Sequence, residues 1–553
     1  MSRERSHPGF GGAPKAVASL RGPAGRARST SPALARAVSL HLEGKVHEAL
    51  DQLYTAVGQG ERDPEIYSAL GRLHFELGQY EEAAASYRKL LQMSPNYPGA
   101  AFNLAVCLER QGRWGDALEK FQKALEEDSA SADSYLGKGI CCLHLERWEE
   151  AAEAFTRCLE LEPQRNAAAL GQAVALHLAG RLEEAGQLYR RILHRNPATE
   201  EALVNLVSLE MARQNHEAVR EVAGQLLALN MQSRVAHEAL AAAALAQGDW
   251  EEAAARCSCL VEICPEHFEG WFNLGVAQQK LGRLEEAARA YAQAGRLRPD
   301  CPQVHLNLGT VNQELGDLAA ARKAYERALR LDPRLTAACW NLALVLEQSG
   351  ELEAAEKLYA RVLEADSECH EARFRVGYLQ LYRGDLPAAV DLFEQCVARR
   401  PDWVPAWINL GIARWKLGDR PAARLAFQRA LAADPQATEA LRGLAVLAVE
   451  EDDEATALEL YRRLIERGDR SPEILYNAAL LRQKAGQLEE AAAYYRQALE
   501  ADPQFAEALL NLGHALSALG QQEEARQCWR KALEIQPDFA RGYFDPEDGR
   551  RGT

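Results

Sequence analysis

The sequence predicts an all-α protein, built as a solenoid of short helical repeats. A pattern of 34 residues recurs through most of the 553-residue chain. The hydrophobic fraction of 47% comes mainly from Ala and Leu, because aromatic residues make up 7% and Met occurs only 4 times. Ala and Leu are strong helix formers. Each repeat is typical of two amphipathic helices joined by a tight turn, and such a pair must stack on its neighbours to bury its apolar face.

About fifteen repeats fill residues 30–539, and a recurring small residue sets their register. We expect the repeat from residue 30 to be degenerate and to cap the array, and we expect residues 1–29 and 540–553 to be disordered tails. The repeats begin at residues 30, 64, 98, 132, 166, 200, 234, 268, 302, 336, 370, 404, 438, 472 and 506.

Four places within the repeat show why the two helices end and pack where they do. The eighth place is small, as in Gly275 and Gly309, and the twentieth is Ala, as in Ala287 and Ala321, so the helices can approach closely. In the repeat from residue 200 we take Ala218, one residue early, as the matching alanine. Glycine at the fifteenth place suits a left-handed helix C-cap. Proline at the thirty-second place ends the second helix.

The segment FEGWFNLGVAQQKLGRLEEAARAYAQAGRLRPDC at residues 268–301 shows all four places together. It resembles the tetratricopeptide repeat (TPR) family, and the resemblance covers residues 30–539. The resemblance implies a right-handed superhelix in which the first helix of each pair lines a concave groove. It also implies a protein that binds other proteins.

An asparagine recurs at the sixth place, on the first helix. A row of amides could bond the backbone of an extended peptide, because each amide both donates and accepts. The Asn-Leu-Gly pattern is similar to the TPR superhelix of O-linked N-acetylglucosamine transferases, where groove asparagines hold extended polypeptide; their catalytic domain is not matched here. Alternatively, the amide belongs to the repeat consensus and bonds local backbone. The asparagines are Asn103, Asn205, Asn273, Asn307, Asn341, Asn409, Asn477 and Asn511.

A second set of candidate groove residues lies in the repeats from 336, 370 and 404. Aromatic and basic side chains there are plausible peptide anchors, since interface hot spots favour Trp, Tyr and Arg. Alternatively, several of these rings pack between repeats as core. The set is Trp340, Phe374, Arg375, Tyr378, Tyr382, Trp415 and Lys416.

The charge distribution limits the classes of partner. The formal net charge is −16, which argues against nucleic acid as a partner. Glu-Glu pairs such as Glu149-Glu150 recur in the first turn of second helices, where carboxylates favour the helix dipole; we interpret them as a solvated, stabilising face. No apolar run is long enough for a membrane span. Residues 1–29 are Arg-rich, which is typical of a disordered tail or of an organelle-targeting signal.

The sequence contains no motif for a phosphate loop, a metalloprotease or a serine nucleophile, so we expect no enzyme, no cofactor and no metal. Cys257, Cys259 and Cys264 with His267 raise the alternative of zinc. However, Cys257 stands at a core place, and Cys259 lies about 200° away from it around the helix. The 12 Cys include no CxxC pair, which favours buried free thiols and a reducing, cytoplasmic location.

These observations together predict a non-catalytic scaffold that binds extended segments of partner proteins in its groove. The alternative is a substrate-recruiting subunit of a separately encoded enzyme, such as a protein glycosyltransferase. The last repeat has no obvious capping helix after Pro537, so we also expect possible end-to-end self-association there.

Overall fold

The computed structural model describes residues 31–540, and all of its regular elements are helical. The described residues fall into two compact units, an N-terminal unit up to Pro299 and a C-terminal unit from Asp300. The predicted basic tail at 1–29, its possible targeting role and residues 541–553 lie outside the described part of the chain. Thirty α-helices alternate as first and second members of the predicted pairs, which confirms an all-α repeat solenoid.

The N-terminal unit contains eight helix pairs, with the odd-numbered helix first in each pair. They are α1 (Pro32–Leu42), α2 (Val46–Gly58), α3 (Pro64–Glu76), α4 (Tyr80–Met93), α5 (Ala100–Arg110), α6 (Trp114–Glu127), α7 (Ala132–His144), α8 (Trp148–Leu161), α9 (Asn166–Leu178), α10 (Leu182–Arg195), α11 (Glu200–Ala212), α12 (His216–Leu229), α13 (Arg234–Gln247), α14 (Trp250–Ile263), α15 (Phe268–Lys280) and α16 (Leu284–Leu297).

The C-terminal unit contains seven pairs, followed by a 3-10 turn at Pro537–Ala540. Its helices are α17 (Pro302–Glu314), α18 (Leu318–Leu331), α19 (Thr336–Gln348), α20 (Leu352–Ala365), α21 (His370–Arg383), α22 (Leu386–Arg399), α23 (Val404–Lys416), α24 (Arg420–Ala433), α25 (Thr438–Glu450), α26 (Glu454–Glu466), α27 (Pro472–Lys484), α28 (Leu488–Ala501), α29 (Ala506–Ala518) and α30 (Gln522–Ile535).

The turn between the two helices of a pair is left-handed, as the glycine at the fifteenth place predicts. Gly282 and Gly316, for example, have φ of 74° and 82°. In the three repeats without this glycine, Glu146, Gln214 and Asp452 take the same conformation at φ of 58°, 56° and 55°. The repeat therefore imposes this conformation even on side chains that rarely adopt it.

The small residue at the eighth place makes room for an aromatic ring of the second helix. A Cβ added at Gly309 would lie 2.5 Å from the ring of Tyr325, and one at Gly275 would lie 2.7 Å from Tyr291. The alanine at the twentieth place is fully buried, with Ala287 at 0% exposure. Both places therefore hold small residues because the helices of one pair are in contact.

One assignment in the repeat from residue 200 was wrong. Ala218 is only partly buried, and Val219 takes the buried twentieth place at 0% exposure. The register does not slip, because α12 begins at His216, the same place at which α14 begins in the next repeat. A valine is therefore accommodated where the other repeats have alanine.

Members of the Glu-Glu pairs are exposed and form ion pairs with arginines just before their helix or in the next repeat, as Glu251 does with Arg283 at 2.7 Å. Arg147 lies 2.5 Å from Glu150 and Arg181 lies 2.6 Å from Glu184, with all four side chains substantially exposed. Exposed pairs of this kind contribute little to stability, because water screens the two charges. Carboxylates in the first turn of a helix favour the positive end of its dipole.

Candidate functional site

The candidate residues lie mostly on one face of the first helices. We call this the first-helix face and define it by the sixth, ninth, twelfth and thirteenth places, whose spacing puts them on one side of a helix. Side chains link neighbouring first helices across it. In the C-terminal unit, Arg375 of α21 lies 3.0 Å from Glu347 of α19, and Trp415 Nε1 of α23 donates to Glu450 of α25 at 3.0 Å.

The C-terminal unit exposes apolar side chains along this face. Tyr382 is 72% exposed, Tyr378 and Val449 are each 41% exposed, and Val446 is 37% exposed. Ile412 and Trp415 are half-buried between them. We call these six residues of α21, α23 and α25 the apolar stripe.

Two of the predicted aromatic rings instead pack inside their own repeat, against a ring of its second helix. Trp340 stands edge-on to Tyr359 with ring centroids 5.4 Å apart. Phe374 lies 5.7 Å from Phe393 and 4.9 Å from Trp403, centroid to centroid. The sequence could not separate these rings from Tyr378 and Tyr382, because all of them recur with helical spacing.

The charges beside the apolar stripe are almost all paired. Glu347 binds Arg375 and accepts a hydrogen bond from the Tyr359 hydroxyl at 2.8 Å. Burial, followed by this bond to a carboxylate, raises the pKa of Tyr359. Lys416 is exposed and makes no ion pair within residues 31–540. Lys416, which follows Trp415 of the stripe in sequence, is therefore an unpaired cation among the described residues.

The asparagines of the sixth place have partners inside the protein. Hydrogen bonds link Asn103 to Tyr87, Asn341 to Tyr325 and Asn477 to Tyr461, and Asn341 Nδ2 also donates to Thr310 Oγ1 at 3.4 Å. Each tyrosine stands on the second helix of the preceding repeat, sixteen residues earlier in the chain. Burial raises the pKa of Tyr461, while the bond from Asn477 acts in the opposite direction.

The other asparagines vary in what they contact. Asn205 and Asn409 donate to carbonyls of their own helices, at Glu201 and Pro405, each at 2.9 Å. Asn511 donates to the Tyr476 hydroxyl at 2.8 Å. Asn273 and Asn307 are partly exposed and belong to the N-terminal and the C-terminal unit respectively.

The residue type at the sixth place correlates with the aromatic residue that stands sixteen residues earlier in the chain. Tyrosine is followed by Asn in six of seven repeats, with Arg375 as the exception, and Phe is followed by Gly in three of four, with Asn409 as the exception. A Cβ added at Gly171 would lie 2.6 Å from Phe155, and one at Gly443 would lie 2.5 Å from Phe427. The Asn therefore serves the tyrosine hydroxyl at Tyr87, Tyr325 and Tyr461, whereas the hydroxyl of Tyr495 donates to Gln483 instead. Gly leaves space for the Phe ring. The correlation of Tyr with Asn and of Phe with Gly is present in the sequence, but it was not identified from the sequence alone.

Three repeats of the N-terminal unit bury the ninth place of the first helix, whereas α1 exposes Val38 there at 48%. Val106, Ile140 and Val174 hold the ninth place of α5, α7 and α9 and are only 0%, 2% and 8% exposed. Ten of the eleven residues of α5 are buried, Asn103 and Glu109 included. These side chains are not available to a partner in this conformation.

Seven of the twelve cysteines are buried and five are partly exposed. Cys257, Cys142 and Cys158 are fully buried, as expected, and burial raises the pKa of the Cys257 thiol to about 12. Cys259 and Cys264 are partly exposed. Among the described residues no group of three or more His, Cys, Asp or Glu side chains could hold a metal ion.

None of the helices described between residues 31 and 540 is long and apolar enough to cross a membrane.

Models of the tetratricopeptide repeat match the chain over most of its length. One matches residues 68–133, 102–161, 143–199, 272–336, 341–402 and 408–472, a second 482–543 and a third 234–257. The matched ranges leave out residues 200–233, the repeat with Val207 and Val219 in place of small residues. No curated protein matches the chain by sequence.

Solved structures with similar repeats include YrrB, described as a TPR protein with an unusual peptide-binding site. It has 22% identity and a TM-score of 0.33, covering 34% of this chain and 97% of its own. The Cut9–Hcn1 assembly of the APC/C has 15% identity and a TM-score of 0.34, covering 84% and 98%. A repeat protein from Parabacteroides merdae has 18% identity and a TM-score of 0.33, covering 44% and 98%. Scores this low carry no argument about function.

The family matches cover more than half of the chain and agree with the helix pairs of both units. The chain therefore belongs to the tetratricopeptide repeat family.

Proposed function

We propose that this protein is a non-catalytic interaction scaffold that binds extended segments of partner proteins on the first-helix face of its C-terminal unit. The observation that carries the proposal is the apolar stripe, with Tyr382 exposed over 72% of its surface and Tyr378 over 41%. Contiguous exposed apolar groups mark interaction surfaces more often than isolated ones do. The proposal includes a cytoplasmic location and no requirement for a cofactor.

The arrangement of the stripe favours an extended segment over a folded domain. Each of α21, α23 and α25 contributes two of its side chains, and Trp415 Nε1 is held by Glu450 of the next first helix. A segment running across these helices meets one pair of apolar groups per repeat. Tyr and Trp anchor such segments well, because they add a large contact area with few rotatable bonds.

The asparagines form a second, weaker part of the proposal. An amide has two N–H donors and an accepting oxygen, so a bond to a tyrosine hydroxyl leaves capacity for a bound backbone. Asn409 lies on α23 together with Ile412 and Trp415 and is the asparagine nearest in sequence to the stripe. We include the remaining asparagines of the sixth place on the same ground.

The same surface would also suit a substrate-recruiting subunit of a separately encoded enzyme, such as a protein glycosyltransferase. The Asn-Leu-Gly pattern motivates this alternative. Affinity capture from native lysate followed by mass spectrometry would support it if a glycosyltransferase is recovered with the wild type and lost with a stripe variant.

End-to-end self-association is a separate proposal for the last repeat. Leu533 and Ile535 of α30 are 36% and 41% exposed. Light scattering over a range of concentrations tests it. A monomer mass that does not change with concentration would contradict it.

The peptide-binding proposal is tested by selecting random dodecamers displayed on phage against the full-length protein. Enriched peptides are then titrated against the wild type, the double variant Tyr378→Ala with Tyr382→Ala, and the control Leu425→Ala. Leu425 is 55% exposed but stands on the second helix α24. We expect the double variant to bind at least about tenfold more weakly and the control to bind like wild type. Failure to enrich any peptide, or equal binding by both variants, would contradict the proposal.

A further inference from the structure

We propose that the segment bound by the apolar stripe carries an acidic residue that pairs with Lys416, close to large apolar side chains. This inference rests on the proposed function and adds the chemistry of the partner. It starts from the one unpaired cation on the first-helix face of the C-terminal unit.

The cations of this face can be compared directly. Besides Lys416, the C-terminal unit has Arg375 and Lys484 at its sixth, ninth, twelfth and thirteenth places. Arg375 pairs with Glu347 at 3.0 Å, and Lys484 pairs with Glu454 at 3.5 Å. Lys416 is exposed and has no such partner within residues 31–540. It is therefore the cation free to bind a carboxylate.

The carboxylates beside Lys416 are already bound elsewhere. Glu450 stands at the thirteenth place of the next first helix, as Lys416 does on α23. Its two oxygens accept from Trp415 Nε1 at 3.0 Å and from Arg420 Nε at 3.1 Å. Lys416 and Arg420 together with Glu450 therefore leave one positive charge, although the whole chain has a formal net charge of −16. At physiological salt, charges farther away than about 8 Å are largely screened, so the local charge decides the contact.

The position of Lys416 predicts how many residues separate the acidic residue from the large apolar residue in the bound segment. It follows Trp415 directly and shares its place in the repeat with Tyr382 of the preceding first helix. Packed helices lie about 8–10 Å apart, which an extended chain spans in about three residues. We therefore expect an Asp or Glu about three residues from a large apolar residue that contacts Tyr378 and Tyr382.

The expected preference is modest, because the pair is at the surface. An exposed ion pair corresponds to a change in affinity of about threefold to fivefold. The preference should decrease as salt is added, whereas the contribution of the two tyrosines should not. Titrations at low and high salt therefore separate the contribution of the ion pair from that of the two tyrosines.

The test is the same dodecamer selection, run in parallel on the full-length wild type, on Lys416→Glu and on the control Lys484→Glu. Lys484 occupies the same place in its repeat but is paired and lies outside the stripe. We expect the wild type and Lys484→Glu to enrich Asp or Glu near an apolar residue, and Lys416→Glu to enrich Lys or Arg there. Replacing that acid by Asn in a synthetic peptide should weaken wild-type binding about threefold to fivefold.

Two outcomes would overturn the inference, and they are distinguishable. Peptides that need Tyr378 and Tyr382 but show no acidic preference, or the same preference with Lys416→Glu, would exclude the pairing and leave the proposed function intact. If no selected peptide depends on the two tyrosines, both the inference and the proposed function fail.

Discussion

The ninth place of the first helix is buried in three N-terminal repeats and exposed in two C-terminal repeats, although Val38 at the same place of α1 is 48% exposed. In the N-terminal unit Val106, Ile140 and Val174 are buried there, at 0%, 2% and 8% exposure. In the C-terminal unit Tyr378 and Val446 at the same place are 41% and 37% exposed. Equivalent apolar residues are therefore core in α5, α7 and α9 and exposed surface in α21 and α25. Repeat position alone does not determine whether a side chain can meet a partner.

The largest effect should come from placing a charge at this position in each unit. Val106→Asp buries an unpaired carboxylate and should lower the free energy of unfolding by about 3–5 kcal/mol. Val446→Asp leaves its carboxylate in water and should cost less than about 1 kcal/mol. Urea unfolding followed by circular dichroism measures both values, and amide hydrogen exchange shows which repeats open. Equal losses would mean that the two faces do not differ in burial.

The reactivity of a buried thiol, compared with that of a partly exposed one, also reports how well α5 is buried. Burial raises the pKa of Cys107 on α5 from an ordinary 9.0 to about 12. At pH 8 its thiolate population should therefore be about a thousandfold below that of an ordinary thiol, and should rise tenfold per pH unit up to about pH 12. Iodoacetamide labelling read by peptide mass spectrometry should find Cys107 far slower than the partly exposed Cys369. Similar rates would show that α5 opens readily.

A smaller effect should be shared by both units, because the sixth place packs alike in each. Gly171→Ala and Gly443→Ala each press a Cβ into the ring of Phe155 or Phe427. Each should cost about 1–3 kcal/mol of stability by overpacking. Thermal unfolding of single variants measures this, and Phe427→Leu should restore part of the loss in Gly443→Ala. A large loss in only one unit would show that the packing rule is not general.

The smallest effect should come from the asparagine itself. Asn341→Ala removes the bond to Tyr325 and should cost about 0.5–1.5 kcal/mol, whereas Asn409→Ala, which loses only a bond within its own helix, should cost less. A double-mutant cycle with Tyr325→Phe measures the coupling. If Asn341→Ala abolished peptide binding without any change in stability, the amide would act on the ligand rather than on the tyrosine.

The sequence was sufficient for the helix pairs, their register and the left-handed turns, because a repeated period reports the same local geometry many times. It failed at Val219, where one buried valine replaces an alanine without moving the helix. It also left the purpose of the asparagines open, although their pairing with Tyr87, Tyr325 and Tyr461 follows a fixed spacing along the chain. The exposure of Tyr382 could not be read from the sequence, because it depends on tertiary packing.

The most direct test of the apolar stripe is photocrosslinking of a selected peptide. A benzophenone side chain is introduced at position 382 in one protein and, as a control, at position 425 on α24 in another. We predict that the peptide crosslinks from position 382 and not from position 425, at a peptide residue next to its apolar anchor. Crosslinking from position 425 alone, or from neither position while the peptide remains bound, would contradict the assignment of the binding surface.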